Sequence, residues 1–199
     1  RFTERKGGVI KGDMEVNRYL EILGVFEKLK NNTRHSFTSS GRKESVAEHS
    51  HRLAVMAYFV KDEYPDADIG KVILMCLFHD LGEAFTGDVP SFEKTGEDEA
   101  REKKNVRAFI DELPPPYRAE LSSLFDEMEG MRTPEAKLFK ALDNMEAVIQ
   151  HNEADISTWL PLEYDLQLTY GEKSTAFSDY TRRLKEECNR ISREKMAQK

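Results

Sequence analysis

Four side chains in this sequence have the chemistry of metal ligands and sit where a helix would otherwise bury carbon: His49, His79, Asp80 and Asp143. The stretch MCLFHDLGEAFTGD, residues 75–88, poses the problem most sharply. Ile73, Leu74, Met75, Leu77 and Phe78 are committed to a core, and His79, Asp80, Glu83 and Asp88 follow directly. Burying such groups costs on the order of several kcal/mol each unless a partner compensates, and a metal cation compensates two anions and an imidazole at once. His49 has Val46, Leu53, Met56 and Val60 at helical offsets and so faces inward, whereas His51 faces away. Asp143 shares a helix face with Ala136, Phe139 and Ala147, and Lys140 is the one cation three or four places from it. A surface pair with Lys140 would be worth about 0.3–0.5 kcal/mol, too little to account for burying a carboxylate.

Two imidazoles and two carboxylates on three helices suit a borderline or harder dication better than Ca, which takes oxygen alone. The expected cofactor is one divalent ion, with Mn, Co, Fe, Zn and Mg all admitted. Four ligands without cysteine leave room for water and substrate on an ion that accepts five or six partners, so the set reads as hydrolytic rather than structural. Glu83, three residues past Asp80, projects to the same side if the helix persists one more turn, where it could take a proton from water; otherwise it is a solvated helix-end carboxylate. Asp88 closes a TGD turn that Gly87 permits. Arg34, Arg42 and Lys43 form a local basic cluster in the segment 31–43, and Arg34 is capable of a bidentate grip on phosphate. His151 lies about 80° around a helix and about 12 Å along it from Asp143, which assigns it to the pocket rim or the surface.

Positioning these residues falls to helices. Strand-like alternation is nearly absent and helical periods recur with start and stop signals, so the chain is expected to be all-α, a bundle of roughly seven or more helices. The first runs from an Asp13 cap to Lys30 with Val16, Tyr19, Leu20, Leu23 and Phe26 on one face, and a polar loop over 31–43 follows. A second, opened by the Ser45 and Glu48 capping box, continues to Tyr64 before Pro65. Asp68 caps a third, which Gly82 or Gly87 ends. A solvated amphipathic helix over 97–113 is closed by prolines 114–116, and a short helix spans 119–128. Thr133 caps the helix that carries Asp143, with Pro134 at its first position. The region 159–171 has no clear period. A last helix from about Ser174 places Phe177, Tyr180, Leu184 and Ile191 on one side.

A chain of 199 residues is expected to form a single domain, with its motifs over about 20–150 and C-terminal helices over 155–195 packing on them. A net charge of −7 argues against a nucleic-acid polymer as partner and leaves a small anionic substrate open. Two distant cysteines and no apolar run near the length of a membrane helix point to a reducing, cytoplasmic setting away from membranes.

The order H…HD…D, with AEHS, FHD and ALD on successive helices, resembles the HD superfamily of metal-dependent phosphohydrolases over about residues 20–150. More closely, ESVAEHS, HDLGEAFTGDVP and an upstream arginine look like the HD-domain 5'-deoxynucleotidases, which release phosphate from deoxynucleoside 5'-monophosphates. The resemblance implies His49, His79, Asp80 and Asp143 as metal ligands, Glu83 as the carboxylate that activates the attacking water, and Asp88 as an acid near the leaving 5'-oxygen. It implies Arg34 as a substrate contact, followed by His35 where the bacterial pattern has a tryptophan near the sugar, with Phe37 close by. It makes a nucleotide the expected substrate and is compatible with a homodimer. Two readings stand against it: an HD phosphohydrolase of cyclic dinucleotides, nucleoside triphosphates or alarmones, and a non-catalytic helical module holding a structural metal or none.

Overall fold

Side-chain caps set where the helices begin. The Ser45 hydroxyl accepts the Glu48 N–H at 3.2 Å while the Glu48 carboxylate takes the Ser45 N–H at 2.9 Å, so two backbone donors are satisfied at the start of the helix that carries His49. Asp68, Thr95, Thr133 and Ser178 each accept from a backbone N–H three residues on, and each opens a helix.

The computed structural model describes residues 14–198. They form α1 (Val16–Asn31), a hairpin of β1 (Thr33–Phe37) and β2 (Lys43–Ser45), α2 (Val46–Phe59), α3 (Ile69–Phe78), α4 (Glu83–Thr86), α5 (Gly96–Asp111), α6 (Pro115–Gly130), α7 (Pro134–Glu153), α8 (Glu163–Thr169), α9 (Glu172–Thr175) and α10 (Asp179–Ala197), with short 3-10 turns at Lys61–Glu63 and Ile156–Thr158. The all-α expectation holds. The strands form a small antiparallel sheet that pairs Thr33 with Ser45 and Phe37 with Lys43. Among the described residues no helix is long and apolar enough to cross a membrane.

The centre of the molecule is the packing of α2, α3 and α7 on one another. Leu53, Ala57, Val72, Met75, Cys76, Ala136, Leu138 and Leu142 are fully buried there, and α5 and α6 close the far side through Ile110, Phe125 and Met128. α10 lies along α7, burying Cys188 beside Met145 and Val148. This centre is what the site hangs on: His49 and Asp143 lie on α2 and α7, and His79 and Asp80 directly follow α3.

The fold corrects the sequence reading in several places. α1 turns a different stripe inward: Phe26 of the expected face packs together with Ile22, Val25 and Leu29, while Val16, Tyr19, Leu20 and Leu23 are exposed. Both rows repeat at about 3.6 residues, so the period alone does not say which row meets the core. The Asp13 cap lies outside the described residues. The segment 31–43 is not a loop throughout but largely a hairpin, turned at Gly41, whose φ is +83°. Leu74 and Leu77 are exposed on the outer side of α3, and Ile191 likewise on α10. The helix at 119–128 starts earlier because Pro114 and Pro115 open it, a proline being tolerated where the first turn has no hydrogen bond to lose. The region 159–171 contains α8.

Candidate metal centre and substrate cavity

α2 presents His49, 1 % exposed, toward the junction of α3 and α7. His79 caps the C-terminus of α3, and Asp80 follows in the turn. Asp143 comes from the middle of α7. Their ligand atoms converge: His49 Nε2 lies 3.3 Å from His79 Nε2, 3.2 Å from Asp143 Oδ1 and 3.8 Å from Asp80 Oδ2. His79 Nε2 lies 3.0 Å from Asp80 Oδ2 and 3.5 Å from Asp143 Oδ1. Ligands at about 2.1 Å from one ion are separated by about 3.0–3.4 Å in octahedral to tetrahedral arrangements; His49, His79 and Asp80 form a group with mutual ligand-atom distances within 4.8 Å, and Asp143 Oδ1 adjoins both imidazoles of that group.

The outer nitrogens of both imidazoles are held in a way that suits this role. His79 Nδ1 donates to the Cys76 carbonyl at 2.9 Å, and His49 Nδ1 donates to the Glu146 carboxylate. Each ring therefore aims an Nε2 lone pair at the cluster. Glu146 is itself fully buried and also receives Arg52 Nε at 2.7 Å. In the metal-free protein the cluster holds protons instead. Burial disfavours the His79 imidazolium, but the Asp80 and Asp143 carboxylates outweigh it and raise the ring to about 10. Asp143 and Asp80 are buried, which works against their charge, yet Lys140 and the two histidines hold Asp143 well below the usual range, and His79 and His49 do the same for Asp80. Lys140 does pair with Asp143, Nζ to Oδ2 at 2.7 Å, and leaves Oδ1 to the imidazoles.

A cavity of about 330 Å³ opens onto this cluster. Glu83, Asp88, Arg34 and Lys94 line it beside the ligand-type residues. The helix of α3 does not continue into Glu83: a tight turn intervenes and α4 begins there, with the Asn32 amide donating to the Glu83 carbonyl. Glu83 is 5 % exposed and its Oε2 has no hydrogen-bond partner. Burial, then the charges of Asp80 and Asp88, push its carboxyl up to about 10. Burial also raises Asp88, which accepts the His35 backbone N–H. Arg34 projects from β1 with its side chain 17 % exposed, 3.7 Å from both Glu44 and Glu146, and its buried Nη1 lacks a hydrogen-bond partner. Arg42 and Lys43 do not reach the cavity; Arg42 pairs with Glu48 at 2.9 Å, and Lys43 donates to the His35 carbonyl at 2.7 Å.

The cavity is also lined by His35, Phe92, His151, Glu163, Leu166 and Tyr170. His35 sits edge-on to Phe92 with centroids 5.5 Å apart. Of the two places expected for His151, pocket rim or surface, the pocket is where it falls, as part of this lining. Sequence reasoning missed Glu163 and gave Glu146 no role; Glu146 shares a helix face with Asp143, whereas Glu163 arrives from a segment without a legible period.

A family model described as HD domain matches residues 26–185. A human protein named 5'-deoxynucleotidase HDDC2 is 30% identical over 144 residues, 71% of this chain and 69% of that protein. A Dictyostelium discoideum protein of the same name is 30% identical over 148 residues, 69% of this chain and 78% of that one. A crystal structure of a predicted metal-dependent phosphohydrolase from Magnetospirillum magnetotacticum MS-1 superposes with a TM-score of 0.68 at 30% identity, covering 87% of this chain and 92% of that chain.

Proposed function

The chain belongs to the HD-domain family of metal-dependent phosphohydrolases, and from that footing we propose that it hydrolyses deoxynucleoside 5'-monophosphates to nucleoside and phosphate. The observation that carries the reading is the grouping of His49, His79 and Asp80, with Asp143 against both imidazoles, beside the buried Glu83. Those four would hold one divalent ion. When bound, such an ion lowers the pKa of water and offsets charge on a phosphoryl oxygen, the two obstacles to attack on a phosphate monoester.

The chain's own groups supply the rest. Arg34, whose Nη1 makes no hydrogen bond, offers a planar fork to the phosphate oxygens. Glu83 takes the proton of the attacking water, and as the new P–O bond forms the bond to the 5'-oxygen breaks. An ion held by Asp80 would offset part of the repulsion that raises Glu83 and so favour the ionised form a base requires. Asp88, whose carboxyl burial raises, is the acid placed to protonate the departing 5'-oxygen. The half of the cavity lined by His35, Phe92, Leu166 and Tyr170 receives the nucleoside.

The test is a panel of deoxynucleoside and ribonucleoside monophosphates, nucleoside triphosphates, an alarmone and a cyclic dinucleotide, assayed with protein reloaded with Mn or Co. Free phosphate from the deoxynucleoside monophosphates, abolished in Asp143→Ala, is expected. Pyrophosphate release, diester opening or no turnover would overturn the assignment.

A further inference from the structure

We propose that His35, His151 and Glu163 form a second divalent-cation site in the same cavity, separate from the centre at His49 and selective for a borderline ion such as Zn or Co. The three come from β1, α7 and the first residue of α8. His35 Nε2 lies 3.0 Å from Glu163 Oε1 and His151 Nε2 lies 2.9 Å from the same oxygen. All three ligand atoms fall within 4.8 Å of one another. Those separations match the edge of an octahedron whose ligands stand about 2.1 Å from an ion.

Counting protons sharpens the case. His151 Nδ1 points at the Ala147 carbonyl at 3.1 Å, which can only accept, so the ring carries its proton there. In a neutral ring, Nε2 is then a lone pair facing a carboxylate oxygen 2.9 Å away, with no hydrogen between them. One carboxylate oxygen also meets His35 Nε2, whose single proton satisfies only its own contact. In that state the His151–Glu163 contact lacks a bridging hydrogen. Either an imidazolium proton or a bound cation makes up the difference, and two nitrogens with one oxygen are the donor set of a borderline dication.

The surroundings are those of a prepared ligand set. The Ala147 carbonyl does for His151 what the Cys76 carbonyl does for His79, fixing the proton on Nδ1 and aiming Nε2 inward. Glu163 is 4 % exposed, and its second oxygen is taken up by the Leu160 N–H at 2.6 Å, which leaves Oε1 alone for the cluster. Trp159 packs on His151 at 6.2 Å between centroids and its Nε1 donates to the His151 carbonyl at 3.0 Å. Three protein ligands on a cavity wall leave coordination positions open toward whatever fills the cavity, the layout of a working site rather than a structural one.

The full chain, stripped with chelator and equilibrated with Zn, is expected to hold two equivalents per chain by elemental analysis. His151→Gln and Glu163→Gln are each expected to hold one, with affinity for the second ion weakened by more than about 100-fold, since loss of even an outer partner costs 10–100-fold. Asp143→Asn is expected to keep the ion at Glu163, which separates failure of this site from failure of the phosphohydrolase centre. An anomalous difference map from a Zn-soaked crystal of the unaltered chain reads the same question without a variant and should show a peak at Glu163. A single equivalent in the unaltered chain, no peak there, or two equivalents retained in His151→Gln would overturn the proposal.

Discussion

Asp143 and Glu146, one turn apart on α7, address the two nitrogens of a single imidazole: Asp143 Oδ1 lies 3.2 Å from His49 Nε2, and the Glu146 carboxylate takes the proton on Nδ1. One helix thus supplies both a proposed ligand and the group that orients another. Glu146→Gln keeps the volume and removes the charge that fixes His49. Metal affinity is expected to fall 10–100-fold, read by titration against a chelator, with turnover restored at saturating ion. A loss of turnover that excess ion does not restore would show that Glu146 does more than orient the ring.

Glu83→Gln is expected to bind metal as the unaltered chain does while kcat falls about 10²–10⁴-fold, the usual contribution of a positioned base. KM should change little, because Arg34 rather than Glu83 meets the ground-state phosphate in the proposed site. Metal content and steady-state phosphate release check the two halves separately.

His79 sets a pH dependence with a definite sign. In the metal-free protein its ring is raised from 6.5 to about 10, so it contributes stability that is full below about 6.5 and is lost as pH rises toward about 10. Melting temperature of the chelated protein is therefore expected to fall between pH 7 and pH 10. The loaded protein, in which the ring nitrogen no longer carries that proton, should lack this fall. Metal uptake near neutral pH should release protons and strengthen as pH rises, by up to about tenfold per unit for each proton displaced.

Gly171 tests how tightly α7 is held from behind. Its φ is +78°, and a Cβ there would stand 2.7 Å from Met145 Cε and 2.9 Å from Asn144 Cβ. The first costs a side chain about 1–2 kcal/mol and the second adds an overpacking cost of about 1–3 kcal/mol. Gly171→Ala is expected to lower unfolding free energy by roughly 2–5 kcal/mol in urea titration.

The central ligand cluster was legible in the sequence because its residues sit inside strong helical periods: an inward imidazole or carboxylate among Leu53, Met75 and Leu142 stands out against carbon. Helix starts were legible through Ser45, Asp68 and Thr133, whose caps act over three residues. What escaped needed information from across the fold. The two apolar rows of α1 are equally periodic and meet at Phe26, and only the partners of Val25 and Leu29 decide between them. The hairpin strands are too short and polar for alternation to register. Glu163 and His151 become neighbours only because α8 folds back over α7, which nothing local announces.

α7 is a rod of 20 residues carrying Asp143 near its middle and His151 near its end, about 12 Å apart at 1.5 Å of rise per residue. The reach of the cavity from its acidic floor to its aromatic wall is accordingly gauged by helical pitch and not by a loop. Insertions or deletions in the connections around it can reshape the mouth, but only a change within those eight steps can alter the length of molecule it measures.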